Sequence, residues 1–472
     1  MIYDLVVIGG GTAGLVASRT AAGLGARVVL IDRDERGPGG DCLWTGCVPS
    51  KALIAAADLA HRIRTAGSVG IDPREPEIDF ARVMAHVHGA RAAIEPEDSA
   101  ESLRRDGVEV MAGSARFTGP GQVDVDGTGI RYRSALIATG SRPVTPDLDG
   151  LAAAGPLTNE TVWDLREQPA RLAILGGGPI GCELGQAFQR LGTQVTIVEQ
   201  VGTVLSKEEP EAQQLIAARL RADGVDLRLA ATAVRVDGGR TLVVQAGGAE
   251  QRVEFDRILV AAGRSPETAG LGLDAVGVEV DDRGAVRVDD RLATTAKGVY
   301  AAGDAVGALP FTHVAGYHGR TVAANALLHT RARVSYESVP WTTFTDPEVG
   351  RVGMTEAQAR ERFGDGVAAV TSDYAHNDRA ITAGDPHGFA KLVADPKGRL
   401  VGATVAAPHG GESIAELAAW VRAERKIADV SQTVHAYPTF SEGQARAADD
   451  YLRQKYLTPR VRRFTKPALA LL

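Results

Sequence analysis

A pattern of apolar strand, glycine-rich turn, small-residue helix and second strand occurs twice in this chain of 472 residues and predicts an α/β fold. The first copy begins DLVVIGGGTAGLVAS at Asp4, and the second begins RLAILGGGPIGCELG at Arg171. Beyond about residue 331 the pattern changes to alternating apolar runs followed by a helical stretch. We therefore predict two Rossmann-like dinucleotide-binding domains and a third, α+β domain at the C-terminus.

The length and composition of the chain narrow the class of protein. The length indicates about three domains, and a hydrophobic content of 44% with a charged content of 24% is typical of a globular protein. The formal net charge of -7 provides no basic field for nucleic acid or an anionic membrane. The sequence shows no apolar run of about 18 residues and no export signal, so we expect a cytoplasmic protein with a small-molecule partner.

Each copy of the pattern contains the spacing GxGxxG, and its second strand ends on an acid 18 residues after the third glycine. The residues are Gly9, Gly11, Gly14 and Asp32 in the first copy, and Gly176, Gly178, Gly181 and Glu199 in the second. Such glycines let the backbone and a helix N-terminus meet a pyrophosphate, and such an acid accepts hydrogen bonds from ribose hydroxyls. Two dinucleotide sites are predicted; the alternative is a pair of glycine turns in unrelated α/β units.

The second of these sites favours NAD(H) over NADP(H). Glu199 would repel a 2'-phosphate, and no arginine or histidine occurs from Gln200 to Gln214 to bind one. Gly185, in place of a larger residue, allows the following helix to lie close to its strand.

The segment GGDCLWTGCVPSK, residues 39–51, contains Cys42 and Cys47, two of the chain's three cysteines. Three cysteines are too few for a disulfide framework, and a cytosolic disulfide is usually catalytic or redox-sensing. With no CxxC and no third cysteine nearby, we predict no metal site. A regular helix would separate the two residues by about 7.5 Å, so the segment must start irregularly if the sulfurs meet. Gly46 permits this, and Pro49 fits a helix that opens near Cys47; two unlinked core thiols are the alternative.

Two further segments read as short apolar strands that end in turns of small residues: ALIATGSRP from Ala135 and GVYAAGDAVG from Gly298. Their turn residues are Thr139, Gly140, Gly303 and Asp304. Together with the glycine turns and the cysteine segment, they closely resemble the class I pyridine nucleotide-disulfide oxidoreductases, in the branch of dihydrolipoamide dehydrogenase and mercuric reductase. VAAGRSPET from Val260, with Gly263 and Arg264 in its turn, also resembles the family's return segment from the NAD domain to the FAD domain. The resemblance covers essentially the whole chain.

This resemblance implies the cofactors and the domain order. The first glycine turn is expected to bind FAD, the second the nicotinamide cofactor, and Asp304 the ribityl chain of the flavin. The turn residues given above are expected to complete these cofactor sites. The implied domains are a discontinuous FAD-binding domain at residues 1–150 and 263–330, an NAD-binding domain at residues 151–262 and a C-terminal dimerisation domain at residues 331–472. We therefore expect a homodimer.

The resemblance also implies a route for electrons. NADH is expected to deliver hydride to FAD, which reduces a Cys42–Cys47 disulfide through a transient bond from Cys47, and Cys42 then attacks the external acceptor. Lys51 and Glu183 match family positions near the flavin and nicotinamide, where they are expected to form an ion pair. Cys182, on the helix after the second glycine turn, is interpreted as a small buried hydrophobe.

One segment near the C-terminus departs from the family pattern. Dihydrolipoamide dehydrogenases and glutathione reductases have a histidine directly before the proline of an HPT segment, and its imidazole moves the proton of dithiol-disulfide exchange. This chain reads HAYPTFSEG, with Tyr437 before Pro438 and with Glu442 retained. Because an ordinary tyrosine has a pKa near 10, efficient lipoamide or glutathione turnover is not expected. His435 could substitute only with a shifted backbone.

Other features resemble mercuric reductase, which has tyrosine in this region. They are GFAKLV, the DRA of residues 378–380 and FTDPEVGRVG. This chain, however, has no cysteine after Cys182 and no N-terminal metal-binding domain, so mercury detoxification is not expected. Two alternatives to a disulfide reductase are an NADH:quinone or diaphorase-type flavoprotein and a non-catalytic, redox-sensing flavoprotein. The basic tail, with Arg460, Arg462, Arg463 and Lys466, is interpreted as a solvated terminal helix rather than a membrane contact.

Overall fold

The computed structural model describes residues 1 to 470; Leu471 and Leu472, the last two residues of the basic tail, lie outside the described residues. The first part of the chain forms a sheet with parallel central strands and the helices beside it. Its elements are β1 (Ile2–Ile8), α1 (Thr12–Gly23), β2 (Val28–Asp32), α2 (Gly40–Trp44), α3 (Cys47–Thr65), α4 (Phe80–Asp98), α5 (Ala100–Arg105), β3 (Glu109–Ala112), β4 (Ala115–Gly119), β5 (Gln122–Val125), β6 (Thr128–Ile137) and β7 (Ser141–Pro143).

Strand β1 lies at the centre of this first sheet. Its apolar residues are buried on both faces, as is typical of a parallel strand covered by helices. Residues 5–8 pair in parallel with residues 28–31 of β2 and with residues 134–137 of β6. The strand order is β3-β2-β1-β6, and β5 and β4 extend the sheet in antiparallel pairs.

The second part of the chain repeats the strand–turn–helix–strand arrangement. Its elements are β8 (Arg171–Leu175), α6 (Pro179–Arg190), β9 (Gln194–Val198), α7 (Pro210–Ala222), β10 (Asp226–Arg228), β11 (Ala231–Asp237), β12 (Thr241–Ala246), β13 (Ala249–Glu254) and β14 (Arg257–Val260). The parallel sheet has the order β10-β9-β8-β14, and β11, β12 and β13 form a separate antiparallel sheet.

The chain then returns to the first sheet. The elements of this return are β15 (Arg264–Pro266), β16 (Val299–Ala301) and α8 (Thr312–Leu328). Strand β15 pairs with β7, and β16 pairs in parallel with β6. Helix α8 packs against α1, and the approach is close because a Cβ at Gly319 would lie only 2.5 Å from the carbonyl oxygen of Ala13.

The C-terminal part forms an antiparallel sheet backed by helices. Its elements are β17 (Pro340–Thr343), β18 (Glu348–Gly353), α9 (Glu356–Phe363), β19 (Ala368–Asp373), α10 (Asp378–Thr382), β20 (Phe389–Ala394), β21 (Leu400–Ala407), α11 (Gly410–Arg422), α12 (Ile427–Gln432), α13 (Glu442–Tyr456) and α14 (Pro459–Leu469). The strand order is β17-β18-β21-β20-β19. The four basic residues of the tail are exposed on or directly beside α14.

These sheets confirm the predicted fold class: two α/β units with parallel sheets and an α+β unit at the C-terminus. The bounds given above for the domains stay a prediction. Among residues 1 to 470, no helix is long and apolar enough to cross a membrane.

Candidate active site

A single large cavity of about 2380 Å³ is lined by residues from all three parts of the chain. The residues predicted from the sequence that line it are Gly9, Gly11, Asp32, Cys42, Cys47, Lys51, Thr139, Gly140, Gly176, Gly178, Glu183, Glu199, Gly263, Arg264, Gly303 and Asp304. Gly14 and Gly181 lie beneath it instead. A Cβ at either would overlap the carbonyl oxygen of Gly9 or Gly176, so these two glycines let each helix start against its turn.

The first glycine turn forms one end of the cavity. Gly9 has a φ of +110°, and Gly11 precedes the first turn of α1, whose free N–H groups point toward the cavity end of β1. Asp32 ends β2 and accepts a hydrogen bond from the Asp34 N–H at 3.2 Å. Burial raises the pKa of Asp32. Thr139 Oγ1 is buried and has no hydrogen-bond partner within the described part of the chain.

A polar group from three segments lies along the same wall. The pairing of β15 with β7 brings Arg264 to Ser141, and Arg264 Nε donates to Ser141 Oγ at 2.8 Å. Ser141 Oγ in turn donates to Asp304 Oδ2 at 2.6 Å, and Arg264 also pairs with Asp41. Burial raises the pKa of Asp304. The carboxylate is therefore held in place beside the cavity.

The second glycine turn repeats this geometry. Gly176 has a φ of +112°, and Glu199 Oε2 accepts the Gly177 N–H at 2.7 Å while Oε1 accepts the Val201 N–H at 2.9 Å. The Glu199 side chain is thus fixed where the second strand of the motif ends. Lys207 lines the cavity on this side. The sequence analysis missed it because only arginine and histidine were considered as phosphate ligands in residues 200–214.

The cysteine segment starts irregularly, as the sequence analysis required. Helix α2 ends at Trp44, and α3 begins at Cys47 after a break at Thr45 and Gly46. The buried indole of Trp163 donates to the Thr45 carbonyl at 3.0 Å and so fixes this break. Pro49 lies in the first turn of α3, where its missing N–H costs nothing.

Cys42 and Cys47 are hydrogen-bonded free thiols in this structure, and their acidities differ. The hydrogen bond from Cys42 lowers the pKa of Cys47 to about 6; burial acts against this, while Thr312 and the charge of Lys51 act with it. The same hydrogen bond, together with burial, raises the pKa of Cys42. Thr312 Oγ1 lies 3.2 Å from Cys47 Sγ. Cys47 is therefore the more acidic of the two thiols and the one that favours the thiolate form.

Lys51 and Glu183 form the predicted ion pair, with 2.7 Å between Lys51 Nζ and Glu183 Oε2. Lys51 is one helical turn after Cys47 on α3, and Glu183 is on α6. The Phe344 N–H donates to Glu183 Oε1 at 2.9 Å, and the Phe344 ring centre lies 4.3 Å from Lys51 Nζ. Neither Phe344 nor Thr312 carried a signal in the sequence, because both contacts join residues far apart in the chain.

The three predicted proton-transfer candidates of the C-terminal part, His435, Tyr437 and Glu442, are not among the described residues that line the cavity. Tyr437 is 70% exposed, and its hydroxyl donates to Asp378 Oδ2 at 2.7 Å. This hydrogen bond raises the pKa of Tyr437. Glu442 is bound by Arg446 at 3.0 Å.

His435 is engaged elsewhere. Its Nε2 lies 3.1 Å from both carboxylate oxygens of Glu416, and its Nδ1 lies 2.8 Å from the Thr433 carbonyl oxygen. Both ring nitrogens therefore have partners within its own subunit. This geometry does not favour His435 as a substitute for the missing imidazole.

Comparison with known proteins assigns these features to one family. Residues 3–319 match the family described as pyridine nucleotide-disulphide oxidoreductase. The chain belongs to this family. Residues 339–448 match the dimerisation domain of the pyridine nucleotide-disulphide oxidoreductases, which supports a homodimer. Enzymes of the family are FAD-dependent and use NAD(H) as electron donor, and the chain is an FAD-dependent NAD(P)H disulfide oxidoreductase.

Individual relatives cover almost the whole chain. A dihydrolipoyl dehydrogenase from Thermus scotoductus is 36% identical over 465 residues, 96% of this chain and 98% of the relative. A mercuric reductase from Bacillus cereus is 34% identical over 93% of this chain and 70% of its own length. The solved structure of the HOCl-induced flavoprotein disulfide reductase RclA from Escherichia coli is similar with a TM-score of 0.84, at 30% identity, over 95% of this chain and 99% of that chain.

The residues of the cavity fit both cofactors of this family. At the first turn, the positive φ of Gly9, the helix N-terminus behind Gly11 and the unpartnered Thr139 hydroxyl suit the phosphates and polar groups of FAD. At the second turn, Gly176 and Gly178 leave the same backbone approach free for the pyrophosphate of NAD(H).

Proposed function

We propose that this chain is an FAD-dependent NADH oxidoreductase that works through Cys42 and Cys47 and transfers electrons to a small acceptor that needs no imidazole base. The observation that carries this proposal is the pair of free thiols, Cys42 on α2 and Cys47 at the start of α3, in the cavity lined by both glycine turns. The Cys47 thiolate faces that cavity, and the Lys51–Glu183 pair lies beside it.

The proposed cycle has two halves with balanced electrons. In the first, NADH, a proton and the Cys42–Cys47 disulfide give NAD⁺ and two thiols; FAD, when bound, supplies the two-electron relay between nicotinamide and sulfur. Cys47 receives the electrons as a thiolate stabilised by Cys42 and Thr312. In the second, the two thiols give two electrons to the acceptor, release two protons to the acceptor or to solvent, and become a disulfide again. Cys42 is the proposed nucleophile toward a disulfide acceptor once its proton has left.

We further propose the cofactor roles and domain bounds that the resemblance implies. Gly9, Gly11, Gly14, Asp32, Thr139, Gly140, Gly263, Arg264, Gly303 and Asp304 would hold FAD, and Gly176, Gly178, Gly181 and Glu199 would hold NAD(H). The FAD-binding part would comprise residues 1–150 and 263–330, and the NAD-binding part residues 151–262. Support for the discontinuous arrangement comes from β16, which pairs with β6 after the chain has passed through the second sheet.

Preference for NADH over NADPH would rest on Glu199, whose carboxylate is held by two backbone N–H groups where a 2'-phosphate would have to lie. We expect kcat/KM to be at least about tenfold higher with NADH. Glu199→Ser should lower the ratio of kcat/KM for NADH to kcat/KM for NADPH. Lys207→Ala in the same background should raise this ratio again, because Lys207 is the cation nearest to Glu199 in sequence. An unchanged ratio in Glu199→Ser would contradict the assignment.

The acceptor is inferred from the residue in the place of the family histidine. An ordinary phenol is protonated at neutral pH, and the hydrogen bond from the Tyr437 hydroxyl to Asp378 raises the pKa of Tyr437 further. Tyr437 of the partner subunit therefore does not take up the proton that dithiol-disulfide exchange with lipoamide or glutathione releases. The proposed acceptor is one that reacts with the thiols without a proton relay.

A second candidate acceptor class is a soft or oxidising metal ion. One relative is a mercuric reductase, and RclA has been solved as a Cu(II) complex. A thiolate at Cys47 with a second sulfur hydrogen-bonded to it is a soft donor pair. Tyr437 does not act against this class, because metal-ion reduction needs no imidazole.

The experiment is a panel of acceptors with one set of variants. Oxidation of NADH should be measured with oxidised lipoamide, glutathione disulfide, benzoquinone, Hg²⁺ and Cu²⁺, using wild type and Cys42→Ser/Cys47→Ser. We expect weak turnover of the two disulfides and stronger turnover of at least one other acceptor that is lost in the double variant. Full turnover of benzoquinone by the double variant would favour a diaphorase. No oxidation of NADH with any acceptor would favour a redox-sensing flavoprotein.

A further inference from the structure

Arg190, the last residue of α6, binds three carboxylates from three separate segments. Its side chain is 2% exposed and lies 2.8 Å from Asp58 of α3, 2.8 Å from Asp223 at the end of α7 and 2.6 Å from Asp346 after β17. We call Arg190, Asp58, Asp223 and Asp346 the Arg190 cluster. The planar guanidinium presents five N–H donors in several directions, so this one arginine can bind three acids at once.

The Arg190 cluster lies about two helical turns from the ion pair of Lys51 and Glu183, on the same two helices. Lys51 and Asp58 are seven residues apart on α3, and Glu183 and Arg190 are seven residues apart on α6, which is about two turns in each case. Lys51 pairs with Glu183 at 2.7 Å, and Asp58 pairs with Arg190 at 2.8 Å. Two ion pairs of opposite polarity thus fix how α6 lies along α3.

A third segment is attached along the same face of α6. Between Glu183 and Arg190 lies Gln186, whose amide accepts the Asp346 N–H at 2.8 Å and donates to the Asp346 carbonyl at 3.0 Å. The Phe344 N–H is bound by Glu183, and the Asp346 carboxylate by Arg190. The segment of residues 344–346 is therefore held at three points, with the Phe344 ring over Lys51.

Charge balance makes Arg190 the residue on which this arrangement depends. The cluster's acids face two further arginines: Arg219, whose Nη2 lies 3.1 Å from Asp346, and Arg62, whose charge acts on Asp58. The same Nη2 donates to His61 Nε2 at 3.0 Å, so His61 accepts as a neutral imidazole. Without Arg190, three partly or fully buried carboxylates would lose the cation that binds all of them, and their repulsion would separate α3, α6 and residues 344–346.

We infer that Arg190 is a positioning residue for hydride transfer, because it holds α6 and residues 344–346 against α3 and thereby places Glu183, Lys51 and Phe344 beside Cys47. This inference rests on the proposed function of the cavity. Arg190 itself touches neither cysteine, and the geometry assigns its effect to the alignment of the two helices. Small displacements of a reacting pair slow a reaction strongly, so the effect belongs to the rate of flavin reduction rather than to NADH binding.

The chain offers a matched control for the loss of a buried cation. Lys391 has a side chain 4% exposed and also binds three carboxylates, those of Glu209, Glu211 and Glu356, at 2.8 to 3.1 Å. Within residues 1 to 470, no hydrogen bond or ion pair of the side chains of Lys391, Glu209, Glu211 and Glu356 reaches α3 or residues 344–346. Lys391→Met should therefore lower thermal stability as Arg190→Met does, without changing the alignment of α6 and α3.

The first measurement is amide hydrogen exchange on the purified protein, which reports on the arrangement whether or not the enzyme turns over. In Arg190→Met we expect the Phe344 and Asp346 amides to exchange at least about tenfold faster than in wild type, because their acceptors on α6 move away. In Lys391→Met their exchange should stay within about twofold of wild type. Equal exchange in the two variants would overturn the inference.

The second measurement is anaerobic stopped-flow reduction by NADH. Arg190→Met should lower the limiting rate of flavin reduction roughly 10- to 100-fold with less than about a twofold change in the Kd for NADH. Reoxidation of the reduced enzyme by the acceptor should be unchanged. If Arg190→Met does not fold, Asp58→Asn removes one carboxylate from the cluster and should lower the same rate about threefold. An unchanged rate in a folded variant contradicts the inference, whereas a wild type that NADH does not reduce contradicts the proposed function instead.

Discussion

The cavity around Cys47 and the C-terminal turn around Tyr437 both contain groups with expected redox roles. Their surroundings shift the pKa values of these two groups in opposite directions. In the cavity, a hydrogen bond from Cys42 lowers the pKa of Cys47 to about 6, so the thiolate exists at neutral pH. In the turn, a hydrogen bond to Asp378 raises the pKa of Tyr437, whose phenol is already protonated at neutral pH. Cys47 is thus more acidic than an ordinary thiol, and Tyr437 is less acidic than an ordinary phenol.

The difference also concerns how each site is assembled. Residues as far apart as Gly9 and Phe344 converge on one cavity within a single chain, and each is held by contacts of that chain. Tyr437 is instead 70% exposed, and the matched dimerisation domain supports a partner subunit on that part of the molecule. The residues proposed for electron transfer therefore all lie in one subunit, whereas Tyr437 lies in the part of the chain that matches the dimerisation domain.

The largest expected effect comes from removing the Cys47 thiol. Cys47→Ser should lower NADH-dependent reduction of every disulfide acceptor by at least about three orders of magnitude, because a serine hydroxyl cannot form the disulfide. Steady-state NADH oxidation measures this. Cys182→Ser is the control: this thiol is fully buried and outside the cavity, and its loss should leave turnover within about twofold. Similar losses in both variants would contradict the assignment.

Placing a histidine at position 437 should have the next largest effect. Tyr437→His should raise lipoamide reduction roughly 10- to 100-fold, because an imidazole with a pKa near neutrality can carry the proton. The measurement is kcat/KM for oxidised lipoamide across pH 6 to 9. Tyr437→Phe, which removes only the hydroxyl bound to Asp378, should show no gain. Equal rates in Tyr437→His and wild type would show that proton transfer does not limit this reaction.

A smaller effect should follow from removing one of the charges that stabilise the thiolate. The cation of Lys51 lowers the pKa of Cys47, so in Lys51→Met that pKa rises above about 6 and less thiolate is present on the acid side. A rise of about one unit would lower the rate of iodoacetamide alkylation of Cys47 roughly fivefold at pH 6 and hardly at all at pH 9. A pH profile of alkylation for the reduced protein, read by mass spectrometry, measures the shift. A midpoint near 9 in the wild type would contradict the account.

The smallest effect is expected from His435. Because both of its ring nitrogens have partners in its own subunit, His435→Gln should change turnover of all acceptors by less than about twofold. Loss of lipoamide reduction in this variant, measured beside Tyr437→His, would show that His435 serves as the proton carrier after all.

Much of the fold could be predicted because its signals are local. Gly9 and Gly176 adopt φ values of +110° and +112°, which glycine allows at no steric cost, and each is followed by a helix whose third glycine lies against the turn. The backbone geometry of each turn therefore favours glycine at these positions, and the spacing of the glycines predicts the turn. The start of α3 at Cys47 could be anticipated for the same reason, from Gly46 and Pro49.

The parts that could not be predicted depend on contacts between distant segments. Thr312 reaches Cys47 across 265 positions of sequence, and Arg190 gathers acids from three elements. Neither contact leaves a periodic pattern, because the partners share no helix face or strand. Lys207 could not be predicted for a different reason: its position on the cavity wall depends on the conformation of the loop after Glu199.

The most direct test is a count of thiols before and after reduction by NADH. The air-oxidised, flavin-loaded protein is treated anaerobically with one equivalent of NADH, and the cysteines are then alkylated and identified by mass spectrometry. The account predicts two new thiols per subunit, at Cys42 and Cys47, with Cys182 unchanged. An NADH-reduced protein in which neither Cys42 nor Cys47 becomes newly alkylated would contradict it.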